Sequence, residues 1–171
     1  SAVNSQLQFC GSSTQNFINS GSVTSPLSLI TVNNSGGLTI DATSSQITVL
    51  FVNLFCGKIT NSGKLHIGNC GTTSGTIQRG ASGSTNTACW LDSLPVFNYG
   101  TGGLNILYIS SSATISTGNE IPASGNVNYI FVGYNTTMTK NIIILDSLNL
   151  SAGTFTKGSY TLSIGNNSTI I

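Results

Sequence analysis

Residues 1–9 read SAVNSQLQF, and the fold expected for the whole chain turns on what this stretch pairs with. In an extended chain Val3, Leu7 and Phe9 share one face with Ser5, while Asn4, Gln6 and Gln8 share the other, the period-two pattern of a half-buried strand. The stretch that follows, CGSSTQNFINSGSVTSP, is mostly Gly, Ser, Thr and Asn. It offers no second strand for a hairpin, so the cover for Val3, Leu7 and Phe9 has to come from elsewhere.

The chain has 171 residues, enough for one domain with its own core. Charged residues make up only 5%, with a formal net charge of +1. A nucleic-acid partner calls for clustered Lys and Arg, whereas Lys58, Lys64, Arg79, Lys140 and Lys157 are dispersed. The wealth of Ile, Val, Thr, Tyr and Phe argues for a folded chain rather than a disordered one. The longest apolar run, ITVLFVNLF at 47–55, is interrupted by Thr48 and Asn53 and falls well short of the ~20 residues a membrane span needs. It reads as a core strand. A start at Ser without a basic-then-apolar leader fits a secreted form whose signal peptide has been removed.

Cys10, Cys56, Cys70 and Cys89 contain no C-x-x-C pair, so zinc and thioredoxin spacings are absent and disulfides are the favoured reading over buried thiols. Of the possible connectivities, Cys10 with Cys56 and Cys70 with Cys89 is preferred, the second closing an apparent loop, GTTSGTIQRGASGSTNTA. N-x-[ST] sequons fall at Asn33, Asn135, Asn149, Asn166 and Asn167. N-linked glycans there would hydrate a surface nearly devoid of charge. The adjacent Asn166 and Asn167 would crowd each other, so one of them is expected to be bare.

Short apolar runs such as LSLITV, QITVLFVNLF, LNILYI, VNYIFVGY and NIIILDSLNL alternate with NSGG, NSGK, NYGTGG and similar turn clusters, and no stretch sustains helical spacing. The class is all-β, and a sandwich is expected. KLHIGN and TLSIGN echo each other, as in a β-solenoid, but they lie about a hundred residues apart without intervening copies, and a solenoid is expected to repeat at constant period.

Chemistry is thinly provided. His66 alternates with Leu65 and Ile67 on an outward strand face, and Asp41, Asp92, Glu120 and Asp146 are scattered, so no catalytic residue, metal site or cofactor is assigned. Trp90, Tyr99, Tyr108, Tyr129 and Tyr134 keep a sugar-binding or adhesin domain as the alternative function, with a β-rich viral coat subunit third.

A period-two strand ahead of a charge-poor β-domain is the arrangement in which one subunit completes the sheet of the next, and a head-to-tail contact of that kind builds an open filament. On SAVNSQLQF, on the sequons in NNSG, YNTT, NLS and GNNST, and on the lack of the long apolar helix of type IV pilins, the chain resembles the subunit of the archaeal thread, an extracellular filament of thermoacidophiles. That resemblance implies an immunoglobulin-like, pilin-like β-sandwich at residues 10–171 and an N-terminal donor strand at 1–9 that inserts into the neighbouring subunit. It also implies Val3, Leu7 and Phe9 as donor side chains, N-glycans on the five sequon asparagines, and identical subunits as partners in a linear polymer on the cell surface.

Overall fold

In the computed structural model, which describes residues 5–21, 25–81, 89–109 and 113–171, Gln6–Gly11 lies beside Leu27–Asn34, and that strand lies beside Ile47–Cys56. The order continues through Gly75–Arg79, Leu104–Tyr108, Asn126–Val132, Ile142–Asn149 and Leu162–Ile164. Spatial order is chain order, and every one of these pairings is parallel. A chain that lays each strand parallel to the last must travel back in between, so each repeat is one full coil. The return legs build further walls, Gln15–Phe17, Leu38–Ile40 and Ile59–Thr60 in one sheet and Ile115–Ser116, Thr136–Thr137 and Phe155–Thr156 in another, again all parallel.

The fold is therefore a parallel β-solenoid. This corrects the expected immunoglobulin-like or pilin-like sandwich: the all-β class stands, but a sandwich is made of antiparallel strands. It also corrects the donor strand. Gln6–Gly11 pairs within its own chain, Leu7 beside Ile30 and Phe9 beside Val32, and both side chains pack on the chain's own core. Val3 lies outside the described residues. The stretch read as one loop around residues 71–88 contains the strand Gly75–Arg79, which sits in the middle of the main sheet.

A constant period fails because the coils differ in length. Along the main strand order the offset between paired residues runs from 17 at Asn126 and Ile143 to 29 at Gly75 and Leu104. Much of the excess is in two loops, 68–74 and 98–103, which leave the wall between strands and stack on each other. Cys70 N donates to Asn98 O at 2.5 Å and Gly102 N to Gly71 O at 3.3 Å. KLHIGN and TLSIGN hold equivalent places in their coils: Leu65 and Ile67 lie beside Ile47 and Val49, as Leu162 and Ile164 lie beside Ile142 and Ile144.

Parallel in-register stacking places like residues above one another. One ladder runs Leu7, Ile30, Val52, Ile77, Ile106, Ile130, Leu148, Ile170 along the inside of the main sheet. Every member from Ile30 to Leu148 is buried. Where the chain turns, glycine is required: Gly57 (φ 83°) and Gly80 (φ 81°) are left-handed, and a Cβ on either would overlap the carbonyl of Asn34 or Ile109 on the adjacent coil. The corner side chain of Asn34 is buried and donates from Nδ2 to Ser13 O at 2.8 Å and Gly37 O at 3.2 Å, joining the first coil to the second.

Ile106 stands between Ile77 and Ile130. Ile106→Ala is expected to cost about 2–5 kcal/mol, the range for emptying a packed aliphatic site, read as a lowered midpoint in urea unfolding. The exposed Ile143, on the outer face of the same wall, is expected to tolerate the same change within about 0.5 kcal/mol.

Candidate functional site

The second interior ladder runs Phe9, Val32, Leu54, Arg79, Tyr108, Val132. Two of its rungs are polar, and both are buried. Alternation forces this: Thr76, Gln78 and Asn105, Leu107 face outward, so Ile77, Arg79 and Ile106, Tyr108 face inward.

A buried guanidinium needs a counter-charge, and Glu120, itself 0% exposed, supplies it from the return leg of the next coil. Arg79 Nη1 donates to Glu120 Oε1 at 2.9 Å. The Tyr108 hydroxyl donates to the same oxygen at 2.9 Å and Gly118 N at 2.8 Å. Arg79 is further held by Nε to Cys89 O and Nη1 to Ser116 O, both at 2.6 Å. Burial by itself would favour the neutral guanidine, but the adjacent Glu120 outweighs it and moves the Arg79 pKa up. The Tyr108 hydroxyl is pushed well above its ordinary range, by burial first and then by the Glu120 charge. Among the described residues, Glu120 Oε2 has no hydrogen-bond partner although it is buried.

Beside this cluster lies a cavity of about 600 Å³, lined by Arg79, Trp90, Asp92, Thr117, Gly118 and Asn119 among others. Trp90, one of the lining residues, is 42% exposed, and its backbone is anchored by Ile59 N donating to Trp90 O at 3.0 Å. Asn119 Nδ2 donates to Leu91 O at 3.0 Å. The Asp92 carboxylate is occupied by its own coil neighbours, accepting from Asn61 N at 3.0 Å, Ser62 N at 3.1 Å, Ser62 Oγ at 3.0 Å and Ser93 Oγ at 2.9 Å. Partial burial tends to raise its pKa, and these hydrogen bonds overcome that and hold it below the usual carboxylate range.

The residues singled out in the sequence are mostly kept apart. Asp41 lies elsewhere, accepting from Thr43 N at 2.8 Å. His66 is half-buried on the outer face between Thr48 and Val96. Among the described residues no group of His, Cys, Asp or Glu is arranged to hold a metal ion. Cys10, Asn33 and Cys56 occupy successive coils at one height. Strands stack about 4.8 Å apart, which puts Cys10 and Cys56 roughly 10 Å apart, beyond the reach of a disulfide. Cys89 is buried and donates from Sγ to Phe55 O at 3.1 Å, next to Cys56, and burial above all pushes its thiol up to about 11. Cys70 is exposed on the first stacked loop and meets Asn98.

Of the sequon asparagines, Asn33 is exposed, Asn166 and Asn167 occupy an exposed turn, and Asn135 and Asn149 are half-buried. Asn135 Oδ1 accepts from Thr154 N at 3.1 Å and Thr154 Oγ1 at 3.0 Å. The Arg79–Glu120 pair was not legible as a pair, since the two residues read as one of the dispersed cations and one of the scattered acids. A signal did exist: TIQR sets Arg79 on the same face as Ile77, and LNILY sets Tyr108 with Leu104 and Ile106. No protein-family model, curated protein or solved structure matches this chain.

Glu120→Leu strands the Arg79 charge and is expected to cost about 3–5 kcal/mol, whereas the double variant Arg79→Leu/Glu120→Leu should recover most of that loss in urea unfolding. Asp92, with its pKa lowered on folding, stabilises the chain above the unfolded value of about 3.9 and loses that contribution as pH falls through the lower folded value. Melting curves from pH 7 to pH 2 should show Asp92→Asn well below the parent at pH 7 and converging on it at pH 2.

Proposed function

We propose that this chain is a structural subunit of an extracellular filament whose subunits stack coil upon coil. The observation that carries the reading is the unbroken inner ladder from Leu7 to Ile170 together with the strands at its two ends. Among the described residues, Gln6–Gly11 has one strand neighbour in the main sheet, and so does each of Leu162–Ile164 and Thr169–Ile170. A strand with one neighbour presents a row of unpaired N–H and C=O groups, a template for another parallel strand. Ile170 faces the ladder and is 60% exposed. Leu7 of a second copy, stacked on Ile170, would continue the ladder in register. The two ends differ, so the contact is heterologous and does not close on itself; it grows a fibre. Edge stacking thus takes the place of the donor strand as the means of linkage.

The near absence of charge supports this reading, since few like charges oppose the approach of two ends. Glycans on Asn33 and on one of Asn166 or Asn167 would keep the sides of such a fibre hydrated. Asn135, whose side chain pins Thr154, is expected to be bare, which site-resolved mass spectrometry of the native protein would check.

Ile170→Lys sets a charge on the exposed rung without disturbing the buried ones. At micromolar concentration the parent chain is expected to form filaments in negative-stain micrographs and the variant to remain monomeric in sedimentation. A parent that stays monomeric, or an Ile170→Lys variant that polymerises equally well, overturns the reading.

A further inference from the structure

We infer that Cys56 and Cys89 are the pair this chain oxidises to a disulfide, a covalent tie between its third and fourth coils. The inference is independent of filament formation.

The peptide groups on both sides of Cys56 touch the Cys89 sulfur. Cys89 Sγ donates to Phe55 O at 3.1 Å, and the N–H of Gly57 points at the same sulfur, as does that of Gly80. A planar trans peptide sets Phe55 O about 2.8 Å from Cys56 Cα, so Cys89 Sγ lies within roughly 6 Å of that Cα. The register of the coils agrees. Ile59 bridges Leu91 in parallel, with Ile59 N donating to Trp90 O at 3.0 Å and Asp92 N to Ile59 O at 3.1 Å. Two residues back, that register sets Cys89 beside Gly57, one residue from Cys56. With coils about 4.8 Å apart, the two cysteine Cα atoms are then roughly 6 Å apart, inside the span of a disulfide.

The other cysteines are placed too far away. Cys10 is two coils from Cys56. Cys70 precedes Gly75–Arg79, whereas Cys89 lies against the far end of that strand, its carbonyl accepting from Arg79 Nε at 2.6 Å. A strand of this length spans ~16 Å, so the expected Cys70–Cys89 link does not fit this fold.

The oxidant is a small-molecule disulfide such as oxidised glutathione. Cys56 is half-buried and Cys89 buried, so Cys56 is the sulfur that meets it. Cys56 Sγ attacks the glutathione disulfide and releases one reduced glutathione; Cys89 Sγ then displaces the second from Cys56. Two protein S–H bonds and one glutathione S–S bond are lost, one protein S–S bond and two glutathione S–H bonds form, and two electrons pass from the chain to glutathione. Burial keeps the Cys89 thiol protonated, so the second step is slow in the folded chain and faster while the fourth coil docks.

The test is therefore refolding from urea in a buffer of reduced and oxidised glutathione, followed by alkylation, unreduced tryptic digestion and mass spectrometry. Cleavage after Lys58, Lys64, Arg79 and Lys140 separates peptides 1–58, 65–79 and 80–140, which carry Cys10 with Cys56, Cys70, and Cys89 respectively. Peptide 1–58 joined to 80–140 is expected, both in the parent and in Cys10→Ser. The urea midpoint of the oxidised parent should fall on adding dithiothreitol, as should that of Cys10→Ser, whereas Cys56→Ser should show no such shift. The inference is overturned if all four cysteines are alkylated after refolding, if 65–79 is the peptide joined to 80–140, if the link disappears in Cys10→Ser, or if the midpoint of Cys56→Ser falls as far as the parent's.

Discussion

Each coil gives its backbone N–H and C=O groups to the coils on either side, and that parallel pairing obliges an inward-facing residue to be matched, one coil on, by another at the same height. The Leu7 to Ile170 ladder is the direct result, aliphatic at every rung. Interior side chains meet partners of their own kind from above and below, and the walls built by the return legs close the core with Leu38, Ile40, Ile59 and Ile115. The same rule governs the corners. Coils can stack only if their turns nest, and Gly57 and Gly80 occur where a side chain would strike the backbone of the next coil.

Loops escape the rule when they leave the wall. The excursions at 68–74 and 98–103 lengthen their coils without shifting the ladder, because the strands re-enter in register, Ile77 beside Ile106. Their backbones then bond to each other. Insertions of this kind are tolerated because closing a longer loop adds little entropy cost while the wall keeps its hydrogen bonds.

Arg79 and Tyr108 are the exception within the ladder. A guanidinium on an inner rung is tolerable only with Glu120 reaching in from the return leg, and the cluster costs desolvation that an aliphatic pair at the same rungs would not. Its consequence is spatial. The return leg that carries Glu120 also carries Ser116, Thr117, Gly118 and Asn119, so the polar rung in the core and the cavity on the surface are two sides of one short stretch of backbone. Gly118 belongs to both, lining the cavity and donating its N–H to Glu120 Oε1.

Much of this is written in the amino-acid order. The alternation in QITVLFVNLF and NIIILDSLNL dictates strands with one buried face, and the Gly, Ser and Asn clusters dictate turns. These are local properties, carried by a side-chain period of two and by glycine's access to positive φ. The direction of pairing is another matter. Alternation looks the same in a parallel and an antiparallel sheet, and the coil offset drifts between 17 and 29 residues, so SAVNSQLQF could be read as a strand while its partner, Leu27–Asn34 of the same chain, could not. Likewise TIQR places Arg79 on an inner face, but its meeting with Glu120 depends on a return leg from the next coil. Contacts between coils are set by how far each loop carries the chain before the next strand docks, and no residue encodes that distance alone.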